Sequence, residues 1–207
     1  MTILAINGIG RIGKNVLKFL LEANMNVKLI NDSIGNTDIH RHLLEFDSVH
    51  GRWKADFTNN KESISINNKR LTFTNFKKIE DLHLDNIDIV LDCTGAYKSY
   101  KKLEPYFDKG VKKVIVSAPV TDSRIANLVY GINHNIYDKL FHKIVTAASC
   151  TTNCLAPIIK VVHENIGIVH GSITTIHNVT NTQTIVDRPG KDFRRSRSSL
   201  NSLIPTT

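Results

Sequence analysis

Apolar residues fall first into short continuous runs and then into helical spacing, repeatedly along the chain. TILAIN (2–7) is a run of the length of a buried strand. Between Arg11 and Ala23, Ile12, Val16, Phe19 and Leu20 recur at the spacing of an amphipathic helix. VKLI (27–30) is a second buried run. Over 53–75 the rhythm changes: SISIN and RLTFT flank an Asn-Lys turn signal and predict a small antiparallel excursion. IDIVLDC (87–93), KVIVSA (113–118) and IVTAA (144–148) predict further buried parallel strands with helix-like segments between them. That alternation is the doubly wound α/β pattern. After Ala148 it stops. A helix is expected from about Thr151 to Asn165, a half-exposed strand in IVHGSITTIHNV (168–179), and an Arg-rich loop from Thr180 to Ser199. The chain reaches LIPTT with no closing element. The expected organisation is therefore one whole domain over 1–148 and an incomplete domain over 149–207, with the chain a fragment of a longer one.

Composition narrows this little. The 207 residues are 41% hydrophobic and 22% charged, ordinary globular usage. No apolar run approaches the roughly 18–20 residues of a membrane span. MTILAINGIG lacks a basic stretch followed by an apolar one, so no secretory signal is read and the cytoplasm is expected. The net charge of +8 suggests anionic partners. The lysines are scattered and not interleaved with aromatics; only FRRSR (193–197) is dense. Phosphate-bearing small molecules account for it, and no nucleic-acid partner is expected. Three cysteines, Cys93, Cys150 and Cys154, form neither a disulfide framework nor zinc-finger spacing, so no metal is expected.

Chemistry enters at two places. Gly8, Gly10 and Gly13 form G-x-G-x-x-G directly after a strand and at the start of a helix. Gly8 suits the tight turn, Gly10 the approach of a pyrophosphate, and Gly13 close helix–strand packing. The helix N-terminus then offers amides and a partial positive charge to phosphates. Asp32 closes the second strand, where an acid hydrogen-bonds ribose hydroxyls and repels the 2′-phosphate of NADP. Glycines serving only a tight turn, and a solvated acid, are the competing readings. With strand, helix and acid all in place, a Rossmann-type dinucleotide domain is the stronger one.

The second place is AASCTTNCLAP (147–157), a strand running into a helix with Cys150 at the junction. A helix N-terminus favours the thiolate, which is the nucleophile. Cys154, one turn deeper, and Cys93, ending a strand, read as small buried apolar residues. A thiolate needs a proton-transfer partner; His177, in TTIHNVTNTQ, is the candidate, while His163 and His170 read as surface or packing residues.

INGIGRIG, ASCTTNCLAP and TTIHNVTNTQ, with SAPVTD (117–122) and YGINHNIYD (130–138), resemble the phosphorylating glyceraldehyde-3-phosphate dehydrogenase family over essentially the whole chain. The resemblance implies NAD as cofactor, glyceraldehyde 3-phosphate and inorganic phosphate as substrates, and a homotetramer at full length. It implies a Rossmann-type sheet followed by the start of an α+β catalytic domain. Cys150 would attack the aldehyde, with His177 as general base, and phosphate would release the thioester as an acyl phosphate. Ser149, Thr151 and Arg194 match residues around the attacking phosphate, and Thr180 one that holds the substrate's phosphate. Arg11 and Ile12 fall at the pyrophosphate turn and Ser117 near the nicotinamide. Asp32 with Pro189 resembles the NAD-using branch, and the FRRSR loop borders a neighbouring subunit's cofactor in the family. Asn75 stands where relatives often carry a basic residue and receives no role. The family continues past Thr207, and without that part a strand at 168–179 would leave an unpaired edge and an uncovered apolar face. The competing functions are erythrose-4-phosphate dehydrogenase, against which CLAP leans, an arsenate-linked subtype suggested by DRPGKDFRRSRSSLNSLIPTT, and an NAD-binding chain without turnover.

Overall fold

The alternation of apolar runs and helical spacing folds as written. β1 (Ile3–Asn7) turns at Gly8 into α1 (Arg11–Glu22) and returns as β2 (Asn26–Asn31). α2 (Thr37–Glu45) follows, its N-terminus capped by Asn36, whose Oδ1 accepts from the Ile39 amide at 3.0 Å. β3 (Phe46–Asp47) and β4 (Gly51–Arg52) make a two-residue ribbon. The excursion follows as β5 (Phe57–Asn60), β6 (Ser63–Ile66) and β7 (Lys69–Thr74). Its β6–β7 turn is Asn67-Asn68, both left-handed at φ 47° and 64°, one residue earlier than the Asn-Lys signal suggested. β8 (Ile89–Asp92), the short helices α3 (Tyr100–Leu103) and α4 (Pro105–Asp108), β9 (Lys113–Val116), β10 (Ala126–Asn127), β11 (Ile144–Thr146) and α5 (Cys150–Asn165) complete the list. This is a computed structural model, describing residues 1–190 and 192–205.

The strands form one sheet in the order β10-β11-β9-β8-β1-β2-β7-β6-β5, parallel from β10 to β7 and antiparallel through β6 and β5. The chain runs outward from β1 to β2, then returns to place β8 on the other side of β1. That reversal opens a crevice beyond the carboxyl ends of the strands, where ligands bind in such sheets. Two cores cover the two faces. Leu4 and Ile6 point into one with Leu17, Leu21, Leu44 and Trp53; Ala5 points into the other with Val90, Leu103, Tyr106 and Val114. The alternation along β1 thus assigns each residue to a face.

The chain separates into two compact units, residues 1–166 and 167–207. The second has no strand among its described residues, and Thr184 is the one it buries. The strand expected at 168–179 is absent: its alternation is real, but no described segment supplies a ladder to its amides and carbonyls. The described residues of 180–199 form a loop, as expected, with one short 3₁₀ turn at Arg194–Ser196. α5 starts at Cys150; none of its residues is buried, and its apolar residues Ile158, Ile159, Val161 and Val162 are exposed. Cys154 is accordingly exposed, which corrects the expectation of a buried residue; Cys93 is half-buried. Among the described residues no helix is long and apolar enough to cross a membrane, and no cluster of ligating side chains could hold a metal.

Candidate active site

The glycine turn is dictated by contact distance. Gly8 has φ 88°, and a Cβ on it would lie 2.8 Å from the backbone of Cys93 and Thr94. A Cβ on Gly13 would lie 1.9 Å from the Gly8 carbonyl oxygen, so α1 sits against the turn only because that Cβ is missing. Gly10 differs: nothing lies within 4 Å of where its Cβ would be. Space is open there, and no side chain caps the first turn of α1. Uncapped amides beside an open backbone fit a pyrophosphate. Ile12 is exposed at the same turn. The Arg11 guanidinium is engaged with Asp47, its Nη1 donating to the two carboxylate oxygens at 2.8 and 2.7 Å, with Lys14 on the same carboxylate at 2.7 Å.

Asp32 stands at the same edge. Its Oδ2 accepts from the Ile9 amide at 3.0 Å and its Oδ1 from the Ile34 amide at 3.1 Å. Each carboxylate oxygen keeps a further lone pair for a ribose hydroxyl. Ser117, half-buried just after β9, donates its amide to the Asp92 carbonyl at 2.9 Å.

Beneath this edge runs a buried polar network that sequence reasoning missed. Asn31 Nδ2 donates to Asn7 Oδ1 (2.8 Å), Asn7 Nδ2 to Tyr106 OH (2.7 Å), and Tyr106 OH to Asp92 Oδ2 (2.7 Å). Thr74 Oγ1 and the Phe76 amide donate to Asn31 Oδ1, while Thr94 donates twice to Asp92 Oδ1. It ties the carboxyl ends of β1, β2, β7 and β8 at one level. Burial raises the Asp92 carboxyl despite these donors, and pushes Tyr106 well above its ordinary value beside it. Burial also pushes the Cys93 thiol up to about 11, which removes it as a nucleophile at neutral pH. The available signal was that three apolar strands each end in Asn or Asp: Asn7, Asn31 and Asp92.

Past the same edge, β11 leads through Ala147 and Ala148 into α5. Ser149 is the N-cap, its Oγ accepting from the Thr152 amide at 3.1 Å and lying 3.2 Å from Thr151 Oγ1. Cys150, exposed, is the first residue of the helix. Ala148 takes a left-handed φ of 56°, held by Thr146 Oγ1 accepting from its amide at 3.0 Å. Asn153 closes the turn from the helix side, its Nδ2 donating to the carbonyls of Ala147 (2.7 Å) and Ser149 (2.9 Å). No spacing argument pointed to Asn153. The structure thus brings Gly8, Gly10, Gly13, Asp32, Ser117, Ser149, Cys150 and Thr151 to one edge of the sheet.

His177, Thr180 and Arg194 belong to the second unit. All three are exposed. The Asn178 carbonyl lies 2.7 Å from His177 Nδ1 and fixes a proton there, which makes Nε2 the basic nitrogen. The Thr180 amide donates to Gln183 Oε1 (2.8 Å), and Thr182 Oγ1 lies 3.0 Å from the Thr180 hydroxyl. Arg194 is paired with Asp192 at 3.1 Å. A cavity of about 420 Å³ in this unit, lined by Thr182, Arg188, Asp192 and Arg195 among others, touches neither His177 nor Thr180.

Residues 2–100 match the family model described as glyceraldehyde 3-phosphate dehydrogenase, NAD binding domain, and residues 149–207 match the C-terminal domain of the same family. Glyceraldehyde-3-phosphate dehydrogenase 3 of Nostoc sp. is 46% identical over 205 residues, 98% of this chain and 60% of the relative. Glyceraldehyde-3-phosphate dehydrogenase of Geobacillus stearothermophilus is 42% identical over 98% of this chain and 61% of its own length. Glyceraldehyde-3-phosphate dehydrogenase 2 of Streptomyces avermitilis is 42% identical over 100% of the chain and 63% of its own. The chain therefore spans about three fifths of the length of the relatives it matches. With its glycine turn, its Asp32 and its capped cysteine helix all on one sheet edge, this chain belongs to the glyceraldehyde-3-phosphate dehydrogenase family.

Proposed function

We propose that this chain carries the cofactor domain, residues 1–148, and the first part of the catalytic domain, residues 149–207, of an NAD-dependent enzyme that oxidatively phosphorylates glyceraldehyde 3-phosphate. One observation carries the reading. Cys150 opens a capped helix immediately past the sheet edge that holds the open Gly10 turn and Asp32. A nucleophile and a dinucleotide cradle on one edge suit chemistry between an aldehyde and a nicotinamide.

The open space at Gly10, the uncapped amides of α1 and the two-oxygen acceptor at Asp32 fit NAD. Bound there, NAD would supply the hydride acceptor. The chain's own residues do the rest. The Cys150 thiolate adds to the aldehyde carbon and forms a hemithioacetal; the start of α5 favours the thiolate. His177 takes the hydroxyl proton through Nε2 as the carbon is oxidised to a thioester. Ser149, Thr151 and Arg194 hold inorganic phosphate, which displaces Cys150 and leaves an acyl phosphate. Thr180 holds the phosphate that the substrate already carries. Arginine suits a phosphate because its fork donates two parallel hydrogen bonds. The full-length protein works as a homotetramer.

The test is NADH absorbance on adding glyceraldehyde 3-phosphate, NAD and phosphate to the chain. Turnover abolished by Cys150→Ala supports the reading. A second reading, NAD binding without turnover, is favoured by the exposed apolar residues of α5. NAD bound with no NADH formed, even stoichiometrically, would establish it.

A further inference from the structure

We infer that His40 and Asn75 are positioning residues for the nucleotide site, clamping the short loop that presents Asp32 to the adenosine ribose. The inference rests on the NAD reading above and deepens it.

The loop 32–36 leaves the ladder after the Asp32 amide bonds to the Thr74 carbonyl at 3.1 Å. From there its shape depends on side chains brought from elsewhere. Asn75 Nδ2 donates to the carbonyls of Asp32 (2.6 Å) and Gly35 (3.1 Å). His40 Nε2 donates to the Ile34 carbonyl at 2.7 Å. A carbonyl can only accept, so the proton sits on Nε2. Three carbonyls within four residues are thus tied by two side chains, one from α2 and one from the segment after β7.

His40 is built for the task. It is buried, and its ring leans on Phe73 with centroids 5.3 Å apart. Gly35 passes directly against it: a Cβ there would lie 3.1 Å from His40 Nε2, and φ is 86°. α2 does not need the histidine for its own N-terminus, because Asn36 already caps it. The ties converge on the segment whose carboxylate also receives the Ile9 amide of the glycine turn. Loosening the carbonyls therefore frees the Asp32 carboxylate at the place where a ribose must find both oxygens in register. Neither residue touches the nucleotide; both act through Asp32.

The experiment uses the full chain and calorimetric titration with NAD, AMP, NMN and NADP. His40→Leu and Asn75→Ala should each weaken NAD and AMP about tenfold, the effect of losing a hydrogen bond that holds the loop in shape. NMN, which lacks the adenosine half, should be unmoved. The preference for NAD over NADP should shrink. His40→Gln, whose amide can still donate to the Ile34 carbonyl, should stay within about threefold of the parent. NAD and AMP binding unchanged in both variants would overturn the clamp alone. Equal losses for NMN and AMP with a lowered melting temperature would also overturn it, as the mark of a merely structural role. No NAD binding by the parent chain would overturn the NAD reading, and this inference with it.

Discussion

Three glycines of one motif make three different demands, and two of them can be separated by experiment. Gly13→Ala places a methyl 1.9 Å from the Gly8 carbonyl oxygen, so α1 must move off the turn. The expected cost is about 1–3 kcal/mol or more in urea unfolding, with NAD binding lost. Gly10→Ala meets nothing within 4 Å. It should leave stability within about 0.5 kcal/mol of the parent while weakening NAD, because the methyl occupies the approach of the pyrophosphate. Equal stability losses in the two variants would sink this division of labour. The motif itself was legible in the sequence, but which glycine answers to packing and which to ligand was not, since that depends on what stands opposite. Asp47 makes the same point. Burial alone would raise its carboxyl, but hydrogen bonds from Lys14, the His50 amide, Arg11 and the Val49 amide outweigh it and hold the carboxyl far below the usual range. A folded value below the unfolded one, about 3.9, gives stability that is full above the unfolded value, declines below it and is lost only as pH falls through the much lower folded value. The urea midpoint of the parent should exceed that of Asp47→Asn at pH 7, and the gap should narrow steadily as pH falls below about 5 while still persisting in part at about pH 2. A gap independent of pH would mean that Asp47 contributes shape rather than charge.

At the scale of elements, periodicity identified what local chain physics decides. The strand–helix alternation up to α5 followed from apolar runs and helical spacing, because each element there has its partner within the same 166 residues. The 168–179 segment has a strand's alternation and no partner strand among the described residues, and a ladder cannot be read from one of its rails. The turn into α5 was half legible: Cys150 reads as a helix-start thiol, whereas the Ser149 cap was not read and Asn153 works through backbone carbonyls that no side-chain pattern displays. Its substitutions carry opposite electrostatic consequences. Asn153→Ala removes two donors and should cost about 1 kcal/mol in urea unfolding. Asn153→Asp keeps the shape but turns a carboxylate toward the Ala147 and Ser149 carbonyls, so it should cost more than alanine. Both should slow iodoacetamide alkylation of Cys150, followed by peptide mapping, since the left-handed Ala148 loses one of its two restraints. Alkylation at the parent's rate in both variants would show that Asn153 does not set the cysteine's position.

At the scale of the whole molecule, burial is divided unequally. Both hydrophobic cores draw their fully buried residues from between Leu4 and Ile144. Beyond Ile166 the described residues bury Thr184 and nothing else, and Ile173, Ile176 and Val186 are exposed. Local opening is cheap where few apolar contacts must be broken, and a protease reads that directly. A brief digestion with a protease of broad specificity should therefore cut first within residues 167–190. The expected product keeps the sheet from β10 to β5, the glycine turn, Asp32 and its two clamps. It should bind NAD with the affinity of the uncut chain, because the residues assigned to the cofactor all precede the cut. It should form no NADH even where the uncut chain does, since Arg194 leaves with any cut in that window and His177 and Thr180 leave with a cut before residue 177. A first cut inside residues 3–146, or NAD binding lost along with the second unit, would mean that the nucleotide site draws on residues 167–205 and that the two halves of the chemistry are not separable along the chain.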